Sequence, residues 1–118
     1  MKYLRWLIVA LLLSSCAYPL RVRTDEAATA KPLLIDVRTA AEWQEGHLDG
    51  AILIPYENIG AEIEKAAPDK KTKINLYCRT GRRSGIALDT LKKIGYEDVT
   101  NFGSVQEASE KLQIPVVK

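Results

Sequence analysis

"KINLYCRTGRRSGIALDTLKKIG", residues 73–95, decides the fold. It opens on a short apolar run, residues 73–78, whose length suits a β-strand and is too short for a helix. The run ends in Cys78. Residues 84–95 then place Ala87, Leu88, Leu91 and Ile94 on one face at helical spacing, and Gly95 supplies a C-cap. Between strand and helix stands a compact loop carrying Arg79, Arg82 and Arg83 around Gly81. A strand that turns directly into a helix is half of a parallel β-α-β unit.

The flanking sequence repeats this alternation. Residues 32–38 (PLLIDVR) and 51–55 (AILIP) read as strands, each a short apolar run beside a proline. Residues 39–46 form a short predicted helix, with Thr39 and Glu42 in capping-box spacing and Gly46 at its end. Residues 58–68 place Ile59, Ile63 and Ala66 at helical spacing before Pro68. After residue 95 come a fourth strand, 96–102, and a last helix, 104–112. The pattern predicts an α/β fold: a small parallel sheet flanked by helices on both faces. In such sheets chemistry gathers at the carboxyl ends of the strands. Cys78 lies at such an end.

The chain has 118 residues, enough for one domain. Its amino end reads as an export signal: Lys2 and Arg5 precede an apolar segment, residues 6–13, that is too short to span a bilayer comfortably. "LSSC", residues 13–16, resembles a lipoprotein signal, in which Cys16 carries lipid and becomes the first residue. Ordinary cleavage after Ala17 and an uncleaved anchor are the alternatives. The expected organisation is a signal peptide of lipoprotein type over 1–16, a tether over 17–31 without sustained period, and a domain over 32–118. This implies an exported, periplasmic protein, attached to a membrane if Cys16 is lipidated. Seventeen basic residues, less Lys2 and Arg5, balance fifteen acidic ones. A neutral domain argues against nonspecific nucleic-acid binding, which rests on excess positive charge.

With Cys16 removed or blocked, Cys78 has no disulfide partner. A lone thiol in an oxidising compartment is a liability unless it is used. Its surroundings favour use. A tight strand-to-helix loop can turn successive N–H groups inward as an anion seat, and the helix N-terminus adds partial positive charge. Gly81 allows the backbone angles such a loop needs. Together with Arg79, Arg82 and Arg83 these features should lower the Cys78 pKa and hold an anion over the sulfur. Cysteine phosphatases resemble one another in placing Arg six positions after Cys. Here that position is Ser84, and Arg83 comes one residue earlier. The shorter loop suits an anion that presents a sulfur atom.

Two stretches resemble the rhodanese, or sulfurtransferase, family. "LLIDVRTAAEWQEGHLDGAILIP", 33–55, is similar to its first motif, and "YCRTGRRS", 77–84, to its active-site loop; "LKKIGYEDV", 91–99, is similar to the helix and strand that follow. The resemblance covers about residues 32–103 and is closest to the single-domain exported type. It implies a rhodanese-like fold with Cys78 as catalytic residue. Arg79, Thr80, Gly81, Arg82 and Arg83 would form the substrate-binding loop. It implies thiosulfate sulfurtransferase activity through a Cys78 persulfide, with a small anionic sulfur donor, a thiol or cyanide acceptor, and no metal or organic cofactor. Many members carry paired glycines and then Trp near the end; this chain has a single Gly103 there and no Trp.

The remaining polar residues of the first motif read as structural. Asp36, Arg38 and Glu42 are expected to form one ion-pair network, His47 to be structural, Trp43 to lie in the core and Tyr77 to pack in the strand. One His and two distant Cys do not make a usual zinc site. Two other functions compete with the enzyme. One is a persulfide carrier or binding module that receives sulfur from a protein partner. The other is a phosphatase or arsenate reductase, which the loop length disfavours.

Overall fold

The computed structural model describes residues 31–118, which form one unit. The expected export signal with Cys16, and all of the expected tether except Lys31, lie outside the described residues. The elements run β1 (Leu33–Asp36), α1 (Ala40–Glu45), β2 (His47–Leu48), β3 (Ile52–Leu53), α2 (Ile59–Ala66), β4 (Ile74–Cys78), α3 (Arg82–Lys93), β5 (Val99–Ser104), α4 (Val105–Leu112) and β6 (Val116–Val117).

Four strands build the parallel sheet in the order β3-β1-β4-β5. β4 sits inside it, paired to β1 through Leu33↔Ile74 to Asp36↔Tyr77, and all five of its residues are buried. Alternation along β4 sends Ile74, Leu76 and Cys78 to one face and Tyr77 to the other. The first face packs with Ile35, Val37, Ile59, Ile63, Ala87 and Leu91, so α2 and α3 cover it. The second packs Tyr77 with Leu34, Leu48 and Ala108, so α4 covers that side. Each fully buried Ile or Leu in these layers contributes roughly 1.5–3 kcal/mol. The α/β fold with a parallel sheet and helices on both faces is as the sequence predicts.

The details differ in several places. Residues 51–55 yield only a two-residue strand at Ile52–Leu53. The fourth strand begins at Val99, because Tyr96 leaves the strand direction to enter the core, where its hydroxyl donates to the Ala67 carbonyl at 2.6 Å. Ala67, not Ala66, completes the buried face of α2. Ile94 is 38% exposed, because the helix has already ended at Lys93. β2 and β6 pair antiparallel as a separate ribbon. At two residues each, they are too short to leave an alternating pattern in the sequence.

Capping holds the helices that frame the site. Thr39 accepts from the Glu42 N–H while the Glu42 carboxylate accepts from the Thr39 N–H, a reciprocal box at the start of α1. Ser104 and Glu107 make the same box at α4. Ser104 follows the single Gly103, so the position after that glycine serves as the N-cap of the last helix. Substituting such caps typically costs about 1 kcal/mol.

Candidate active site

Cys78 ends β4 at the carboxyl edge of the sheet, and α3 begins four residues later. The helix starts at Arg82, two residues earlier than the apolar periodicity indicates, because Gly81 caps it in the left-handed conformation (φ 96°). That conformation favours glycine. It also turns the Gly81 N–H back onto the Cys78 sulfur, at 2.9 Å. The Ser84 hydroxyl stands 3.4 Å from the same sulfur. Both Cys78 and Ser84 are buried.

These contacts set the chemistry of the thiol. Burial opposes ionisation of Cys78. Hydrogen bonds from the Ser84 hydroxyl and from the N–H groups of Ser84, Thr80 and Gly81 outweigh it, and hold the thiol below its ordinary value. The sulfur also faces the positive end of α3. Sequence reasoning credits the arginines with much of this effect. The geometry gives the larger part to loop dipoles and to Ser84, a residue the sequence reading leaves out of the site. Its position in the first turn of a helix directly after the loop is the signal that could have found it.

Arg79 and Thr80 lie exposed on the loop, and Arg82 is exposed at the start of α3. Arg83 is placed differently. Its two terminal nitrogens donate to the two Glu42 carboxylate oxygens at 2.7 and 2.9 Å, so its charge is shared with α1. This pair pulls the Glu42 carboxyl down to about 2; burial opposes the shift, and Thr39 assists it. Glu42 also raises the Arg83 pKa, which burial lowers and the Cys78 charge raises further. Glu42 therefore joins the two motifs that the sequence displays separately, and the expected single network of Asp36, Arg38 and Glu42 divides.

Asp36 and Arg38 form the other part. Arg38 Nε and its terminal nitrogen donate to both Asp36 oxygens at 2.7–3.0 Å, and the same terminal nitrogen donates to the Gly46 carbonyl at 2.7 Å. The buried pair ties the end of β1 to the turn after α1. Trp43 is only half-buried and stacks on His47, with centroids 3.5 Å apart, so it is not a core residue. His47 Nδ1 lies 2.9 Å from the Trp43 carbonyl, which occupies the ring structurally. Tyr77 packs as expected, and its hydroxyl accepts from the Leu48 N–H. Burial raises its pKa, which keeps the phenol protonated.

Across the loop stands β5. Its pairing with β4 runs Leu76↔Asn101 and then Cys78↔Ser104, so β5 carries an extra residue there. Gly103 takes a positive φ of 88° at this bulge, and a Cβ on Gly81 would meet the Gly103 Cα at 3.3 Å. The close approach of two glycines lets the loop rest directly on β5. A larger cavity, about 530 Å³, lies near the amino ends of β1 and β4, lined by Leu34, Asn75, Leu112 and Ile114. None of the loop residues lines it, and Cys78 lies at the other end of β4.

A cysteine thiol held by loop N–H groups between a parallel strand and a helix defines a class of cysteine-dependent α/β domains. Within that class the chain belongs to the rhodanese-like domain family, a sulfurtransferase family, whose model matches residues 22–110. It is 38% identical to thiosulfate sulfurtransferase PspE of Escherichia coli (strain K12) over 84 residues, which cover 71% of this chain and 77% of that protein. It is 33% identical to YrkF of Bacillus subtilis (strain 168), assigned by name as a sulfur carrier, over 72% of this chain but 43% of that protein. Among solved structures, a rhodanese with anions from E. coli superposes with a TM-score of 0.69 at 36% identity, covering 75% of this chain and 99% of that one.

Proposed function

We propose that the protein is a thiosulfate sulfurtransferase that carries sulfane sulfur on Cys78. The observation that carries this reading is the sulfur itself: Cys78 Sγ receives the Gly81 N–H at 2.9 Å at the amino end of α3. That arrangement stabilises anionic sulfur and leaves it a nucleophile. In the first step the Cys78 thiolate attacks the outer sulfur of thiosulfate. An Sγ–S bond forms, the S–S bond of the donor breaks, and sulfite leaves with the electron pair. In the second step cyanide or a thiolate attacks the outer sulfur, and Cys78 departs as thiolate. The loop donors stabilise charge in both steps. Neither step needs a metal or an organic cofactor.

Arg79 and Arg82 attract the anionic donor to the loop. Thr80 and Gly81 present N–H groups to it, and Arg83 contributes from its fixed place beside Glu42. Lipidation of Cys16 in an exported chain would hold this domain at a membrane surface. Turnover of thiosulfate with cyanide, lost on Cys78→Ser, tests the reading. A second reading is a carrier that takes sulfur from a protein partner and turns free thiosulfate over poorly. The likeness to YrkF, a relative named as a sulfur carrier, favours it. The same assay separates the two: a carrier acquires sulfur from a persulfidated donor protein but shows little steady-state turnover.

A further inference from the structure

Two of the donors to the Cys78 sulfur, the Gly81 N–H and the Ser84 hydroxyl, belong to residues that a single side chain on β5 holds. Asn101 Nδ2 donates to the Gly81 carbonyl at 2.9 Å, and Asn101 Oδ1 accepts from the Ser84 hydroxyl at 2.7 Å. The same Oδ1 accepts from the Gly103 N–H at 2.9 Å, which fixes the amide on the bulge of β5. Gly81 and Ser84 are the residues whose N–H and hydroxyl face Sγ. Asn101 itself is exposed. An asparagine there can donate to one partner and accept from two, as this geometry uses it.

We propose that Asn101 is a positioning residue for the nucleophile: it holds Gly81 and Ser84 so that their hydrogen bonds converge on Cys78 Sγ. The Ser84 hydroxyl has one proton and two acceptors. Asn101 Oδ1 stands 2.7 Å from it and Cys78 Sγ 3.4 Å. Asn101 keeps the Gly81 carbonyl and the Ser84 side chain in place, so that the Gly81 N–H stays on Sγ and the Ser84 hydroxyl stays within its reach when Cys78 ionises. Asn101 thereby decides how well the loop receives a thiolate, without touching the reacting atoms. This rests on the reading of Cys78 as the nucleophile.

The test is the pH dependence of iodoacetamide alkylation at Cys78, followed in the full chain by mass spectrometry of the peptide that contains it. The midpoint reports ionisation of the thiol, independent of any change in access that alters only the plateau. The charged groups on the loop and on the elements packed around it are Arg79, Arg82, the Arg83–Glu42 pair, the Asp36–Arg38 pair and, from α4, Glu107 and Lys111. None is altered by the substitutions. Asn101→Ala is expected to move the midpoint upward and to slow sulfur loading from thiosulfate at pH 7 by roughly tenfold, with KM little changed. Asn101→Ser, which keeps a short polar side chain but no amide, gives the same direction should the alanine variant fail to fold. Ser84→Ala is expected to move the midpoint upward in the wild-type background and less in the Asn101→Ala background. A folded Asn101 variant with an unmoved midpoint overturns the proposal, and does so without touching the sulfurtransferase reading if the wild type still loads sulfur. A midpoint that moves in a chain taking no sulfur supports the role of Asn101 and overturns the sulfurtransferase reading instead.

Discussion

Glu42→Gln isolates the ion pair that joins the first motif to the active-site loop. The glutamine keeps the N3 position of the capping box, where Gln serves as well as Glu, and it removes only the charge facing Arg83. Glu42 is held at about 2, against an ordinary value of 4.5. At about 1.4 kcal/mol per pH unit, that difference is worth at most about 3–4 kcal/mol of stability. The Arg83 and Glu42 side chains are 21% and 19% exposed, so solvent screening reduces the expected loss to about 1–2 kcal/mol. For a domain of this size it corresponds to a fall in Tm of roughly 5–15 °C. The sign with pH follows from a depressed carboxyl: the stabilisation is complete above the ordinary value of 4.5 and disappears as pH falls toward 2. Thermal melts of wild type and Glu42→Gln should therefore differ by a constant amount between pH 5 and 8 and converge below pH 4. No difference at pH 7, or an undiminished difference at pH 2.5, would refute the assignment of this pair.

Three further outcomes are expected. Cys78→Ser should abolish sulfur transfer and leave the circular dichroism spectrum unchanged, since a serine hydroxyl is a far weaker nucleophile and cannot form a persulfide. Arg79→Ala should raise the thiosulfate KM by roughly tenfold, the cost of one charged contact; Arg83→Ala should raise it less and lower Tm, because its guanidinium is already bound by Glu42. Steady-state kinetics and melts on both variants check the contrast. Cys16→Ala should shift the protein from membrane to soluble fractions without changing its sulfurtransferase rate, and a wild-type mature chain that begins at Tyr18 would contradict the lipoprotein reading.

Local signals made much of this legible. The stretch 73–95 contains strand, nucleophile, loop and helix in one continuous piece, and each part announces itself by periodicity or by residue type. The capping box of Thr39 and Glu42 is equally local, and it forms as its spacing indicates. What the sequence conceals is long-range. Glu42 and Arg83 stand 41 residues apart, and only the folded sheet brings them together. Asn101 is one polar residue in a strand until β5 is laid beside the loop and its bulge turns Gly103 against Gly81. The two-residue strands β2 and β6 pair only in the folded chain, His47 with Val117 and Leu48 with Val116. Ser84 hides for a different reason: its backbone belongs to the helix, while its hydroxyl stands between the sulfur and Asn101.

The central claim is that Cys78 accepts a sulfur atom, and the mass of the intact protein after incubation with thiosulfate tests it most directly. The account predicts a gain of one sulfur atom, localised to the peptide containing Cys78, removed by cyanide and absent from Cys78→Ser. A folded wild-type protein whose mass is unchanged by both thiosulfate and a persulfidated donor protein would contradict it.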